Sequence, residues 1–136
     1  MIYQLRDYIA ANFPTEIIYA NTVKPISPNT DVPIRYAVLT ENPGNSQPIT
    51  DWCNHGLQII TRDVDSPKAR ELSYAIRDYI NNKFSLTLPA TTVDGVNFPS
   101  VILRQISANA LPGFIGENEN GYAEWSTNYR ILFTEV

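Results

Sequence analysis

The chain has 136 residues, 43% of them hydrophobic and 11% aromatic, and its formal net charge is −4. That length and composition suit a single folded domain over residues 1–136 and exclude a disordered chain. The ten Lys and Arg residues are scattered without a basic run. This argues against a sequence-specific grip on phosphates, although a ring that merely lets DNA pass needs only weak attraction.

Ile2, Leu5, Ile9 and Phe13 recur at near-helical spacing and predict a short amphipathic helix, stopped by Pro14, which disfavours helical geometry at Phe13. A first strand is expected over 16–23, then a loop carrying Pro25, Pro28 and Pro33. The next strand, 34–40, has apolar groups on both faces, as a covered strand should. Residues 41–52 are polar, with Pro43-Gly44 and Pro48, and are expected to form an exposed connection, leaving Cys53 as a loop thiol. A third strand over 57–62 runs into Asp63-Val64-Asp65-Ser66-Pro67. Ser66 or Asp65 suits a helix cap and Pro67 the first helical position.

The helix that follows is expected to reach about Asn82 and to bury Ala69, Leu72, Ile76, Tyr79 and Ile80, with the stem of Lys83 continuing that face. Glu71, Tyr74 and Asp78 lie opposite. Beyond Phe84 a linker is expected, then a tight hairpin around Asp94-Gly95. A strand over 101–107, a loop over 108–121 and a long strand over 122–134 complete the chain. The order predicts an α/β (α+β) fold, a mostly antiparallel sheet with two helices packed on one face.

No stretch approaches the roughly 20 apolar residues of a membrane helix, and the start lacks the basic end and apolar run of a leader, so a protein made in the cytoplasm is expected. The glycines are scattered among turns and make no phosphate-binding loop; the nucleophile-elbow and His-Glu-x-x-His patterns are also missing. Cys53 and His55 are too few ligands for a structural zinc site. Asp63, Asp65 and Glu71 allow a small metal-dependent nuclease as an alternative, since carboxylates suit Mg²⁺. The plainer reading gives Asp65 to a helix N-terminus and Asp63 to a turn. The expectation is no enzyme, no metal and no cofactor.

Two local patterns carry a resemblance. The strand-turn-helix unit from Leu57 through Asp65-Ser66-Pro67 to Ala69 is similar to one in the tail terminator (minor capsid) proteins of long-tailed, siphovirus-like bacteriophages. So is the C-terminal stretch with Ser107, Pro112, Ile115-Gly116, Gly121 and Trp125-Ser126-Thr127-Asn128-Tyr129, a glycine-bearing loop before a last strand. With the N-terminal helix, the resemblance spans nearly the whole chain; residues 42–52 have no counterpart in it. It implies a structural virion protein that closes into a homo-oligomeric, hexameric ring at the head-proximal end of the tail tube. Such a ring stops tube polymerisation and provides a head-joining surface. The implied partners are the chain itself, the tail tube protein and a head completion or neck protein, with DNA passing through the lumen; another neck completion protein is the nearest alternative. The residues expected at contacts are Arg62, Lys68, Arg70 and Arg77 around the second helix, Pro43 and Gly44, and Glu117 and Glu119.

Overall fold

A computed structural model describes residues 1–21, 35–46 and 53–135. The proline-bearing segment with Pro25, Pro28 and Pro33, the expected strand residues 22, 23 and 34, and the 47–52 part of the polar connection lie outside the described residues. The architecture is mixed α+β. Among the described residues two helices, α1 (Ile2–Asn12) and α2 (Ser66–Ile80), accompany nine strands: β1 (Ile18–Ala20), β2 (Arg35–Ser46), β3 (Cys53–Asp63), β4 (Lys83–Leu88), β5 (Thr91–Val93), β6 (Val96–Phe98), β7 (Val101–Ala108), β8 (Gly113–Glu117) and β9 (Ala123–Glu135).

The main sheet runs β1-β2-β3-β9-β7-β4, and β8 pairs with β9 beyond the end of β7. Strands β5 and β6 form a separate hairpin. The pairings are antiparallel except β1 with β2, which is parallel.

Because side chains alternate along a strand, register decides which residues face the helices. Leu57 opposes Tyr129 and Ile59 opposes both Leu39 and Thr127. These positions, with Ile131, Phe133, Leu103 and Ile106, join Ile2, Leu5 and Ile9 of α1 and Leu72, Ile76 and Ile80 of α2 in one core. Both helices therefore serve the same face of the sheet, each by the apolar stripe its spacing predicts. Ser73 of α2 faces the sheet as well, its hydroxyl 3.2 Å from that of Thr127. Thr61 donates to the Ala69 carbonyl at 2.8 Å.

Several sequence expectations need correction. Residues 41–46 continue β2, and β3 already begins at Cys53, so Cys53 lies in a strand rather than a loop. The pairs Asn42–Gly56 and Asn45–Asn54 enclose Pro43 and Gly44 on one strand but His55 alone on the other, which is a one-residue bulge. Pro43 has no N–H to lose there, so a turn-like dipeptide sits within a strand. The stretch beyond Phe84 does not begin as a linker: it continues β4, paired along β7 as far as Leu88. Ser85 takes φ 50° and breaks the alternation, leaving Phe84 exposed although it shares parity with buried Leu88. The 108–121 segment is not all loop; it contains β8. Helix α2 ends at Ile80, so Lys83 belongs to β4. Its N-cap is Asp65, without a side-chain cap bond, and Ser66 is already helical. The expected hairpin is present, with Asp94 at φ 51° and Gly95 at φ 79°.

Candidate interaction surface

With both helices on one face, the other face of the sheet is left to side chains of alternate parity. At its β1–β2 end it is closed by aromatic rings. Tyr36 meets Tyr19 at 5.7 Å and Tyr122 at 5.8 Å between centroids. Arg62 lies over the Tyr36 ring and donates from Nε to Glu124 Oε2 at 2.6 Å. Arg62 is therefore committed to contacts within its own chain. Burial opposes its charge, but the Glu124 and Tyr36 hydrogen bonds outweigh that and push its pKa up.

Toward β7 and β8 the same face is polar, and no described element covers it. Gln58 donates to the Ser126 hydroxyl at 3.1 Å, with Asn128 opposite Gln58 in register. Gln58, Ser126 and Asn128 floor a depression of about 410 Å³ walled by Asn109, Leu111 and Ile115. A smaller one of about 200 Å³ follows along β9, lined by Gln105, Ser107, Arg130 and Leu132. Arg130 is exposed and donates to Asn54 Oδ1 at 3.2 Å. Among the described residues, none that line either depression is acidic.

The wall is made by β8. Phe114 pairs with Trp125 and Gly116 with Glu124, so Ile115 is the extra residue of a bulge, pushed out of the ladder. Gly116 takes φ 120°, a conformation that L side chains rarely adopt. Leu111, Phe114 and Ile115 are 61%, 54% and 55% exposed. Two large apolar side chains on an edge strand, with Leu111 just before it, are the kind of patch that marks a contact surface. Around the edge of β8, Phe114 touches Trp125 at 5.7 Å, and Arg70 lies over both Tyr74, at 4.3 Å, and Trp125. Trp125 in turn donates to the Ser66 hydroxyl at 3.2 Å.

Of the residues singled out from sequence, Arg70 and Glu117 flank this patch, whereas Glu119 lies in the exposed turn after it. Lys68 is exposed on α2. Arg77 is half-buried, 3.6 Å from Asp78. Pro43 and Gly44 sit in the bulge of β2. Leu111, Phe114 and Ile115 lie within the 110–121 segment, which as an exposed loop also suits recognition on sequence grounds, whereas Arg130 carries no such signal. Asp63 is buried and accepts from the Asp65 amide at 2.8 Å, which ties it to the turn before α2. Among the described residues, no group of three His, Cys, Asp or Glu side chains is placed to hold a metal ion, so Asp63, Asp65 and Glu71 are not brought together as one. His55 Nδ1 meets Glu41 Oε2 at 2.5 Å, and its ring stands edge-on to Phe133. No helix of the described residues is long and apolar enough to cross a membrane.

No protein-family model and no curated protein matches this sequence.

Proposed function

We propose that the chain is a structural subunit that closes head-to-tail into a ring, of the kind that ends a phage tail tube. The observation that carries the reading is the exposed apolar strand β8, with Leu111, Phe114 and Ile115 standing at the edge of an otherwise uncovered polar face. A surface of that make-up favours another protein, because burying the three side chains gains roughly 25 cal/mol per Å² of apolar area removed from water. Ring closure also disposes of strand edges that would otherwise keep pairing. The resemblance in the strand-turn-helix unit and the last strand supplies the rest: six copies, a tube end on one side, a head or neck protein on the other, and DNA passing through the lumen. The action is fit between surfaces, with no bond made or broken.

Electron microscopy of the purified chain, alone and with tail tube protein, tests this. Rings and capped tubes are expected. Attachment to a head vertex instead of a tube end would assign the chain to the neck. A variant with Leu111→Ser and Ile115→Ser is expected to fold but to lose ring formation.

A further inference from the structure

Resting on the ring reading, we infer which two surfaces of neighbouring copies meet: the β5–β6 hairpin of one copy seats in the depression beside β8 of the next. The hairpin is a separate two-stranded arm outside the main sheet. Its turn exposes Asp94, Gly95 and Val96, the last by 54%. Its base is fastened to α1. Phe98 packs on Tyr3 at 4.8 Å, Thr91 donates to Asp7 at 2.5 Å, and Gln4 donates to the Pro99 carbonyl at 2.7 Å. The arm is thus presented in a fixed direction, which lowers the ordering cost of binding.

Topology separates the arm from the depression of its own subunit. The arm enters β7 at Val101, which pairs with Glu135 at the end of β9. The depression lies at Ser126 and Asn128, near the start of that strand. At about 3.4 Å per residue the two are roughly 25–30 Å apart. Different surfaces at opposite ends of one long strand make a heterologous contact, the arrangement that generates rings.

The chemistry of the two sides matches. The turn offers an apolar Val96 and an acid at Asp94. The depression offers apolar Leu111 and Ile115, side-chain amides from Gln58 and Asn128, and Arg130 one step farther on the same face. Its lining among the described residues holds no acid, so it suits an acidic tip from a chain of net charge −4. A hairpin tip buries far less than the roughly 800 Å² per partner of a standard interface. One such contact is therefore weak, and closure, in which each copy makes two, holds the ring.

The test uses the full chain with Cys53→Ala, Val96→Cys and Leu111→Cys, after circular dichroism confirms folding. Oxidation is expected to give a ladder of covalent oligomers ending at the ring size. Mixing the two single-cysteine variants is expected to stop at dimers. Independently, Arg130→Glu should weaken ring formation by about tenfold or more, since like charges then face each other, and adding Asp94→Lys should restore it. Rings that form normally in Arg130→Glu and leave both cysteines uncrosslinked would overturn the hairpin contact while leaving the ring itself standing. A wild-type chain that forms no ring would overturn both.

Discussion

Tyr129 is buried in the core shared with α2, and among the described residues its hydroxyl has no partner in good hydrogen-bond geometry, the Thr127 hydroxyl being shared with Ser73. A buried hydroxyl without a partner gives up its hydration for nothing, so Tyr129→Phe is expected to be neutral or stabilising by up to about 1 kcal/mol in urea unfolding. Burial also pushes the Tyr129 pKa up, while burial and the neighbouring Tyr8 hydroxyl push Tyr79 up to about 12. In the unfolded chain both ionise near 10. Between that pH and about 12 the unfolded state sheds protons that the folded state keeps, so these groups favour unfolding increasingly as pH rises. The urea midpoint should therefore hold steady up to pH 10 and fall above it, with a shallower fall in Tyr129→Phe. At the other face, Glu124→Gln removes the carboxylate from the half-buried Arg62. It should cost about 1–2 kcal/mol of stability while leaving association unchanged, because Arg62 is used within the subunit.

The elements that were legible in the sequence are those whose periodicity is uninterrupted. Ile2, Leu5 and Ile9 place α1, and Ala69, Leu72, Ile76 and Ile80 place α2. The alternating Leu57, Ile59 and Thr61 place the core face of β3. Asp94-Gly95 signals a turn because both residues accept positive φ. What escaped were strands whose alternation is broken by backbone irregularity: β4 by Ser85, the far part of β2 by the Pro43-Gly44 bulge, and β8 by Ile115 and Gly116. In each, the punctuation of a loop is written into a ladder, and only pairing with a distant strand shows that it is a ladder. On sequence grounds the 110–121 stretch is an exposed loop suited to recognition, but the sequence does not show the strand in it that holds Phe114 and Ile115 beside β9. Backbone freedom at the hairpin is directly measurable. A Cβ at Gly95 would meet no neighbouring atom, so Gly95→Ala should cost about 1 kcal/mol in thermal unfolding through the strained φ alone.

The whole molecule has a covered face and an open one. Two helices seal one side of the sheet, while the other keeps an uncharged polar floor with Arg130 and an apolar wall along β8. The edge of β8 is short and bulged, devices that discourage indiscriminate strand pairing, so its exposed side chains favour a chosen neighbour over a fibril. On the proposed ring, an acidic chain whose single contacts are weak would stay dispersed when dilute and assemble when a template gathers copies. The most direct measurement is electron microscopy of the purified chain mixed with tail tube protein. The account requires closed rings of constant subunit number seated on tube ends, with tube growth halted. A well-folded chain that remains monomeric at high concentration and leaves tube ends bare would contradict it.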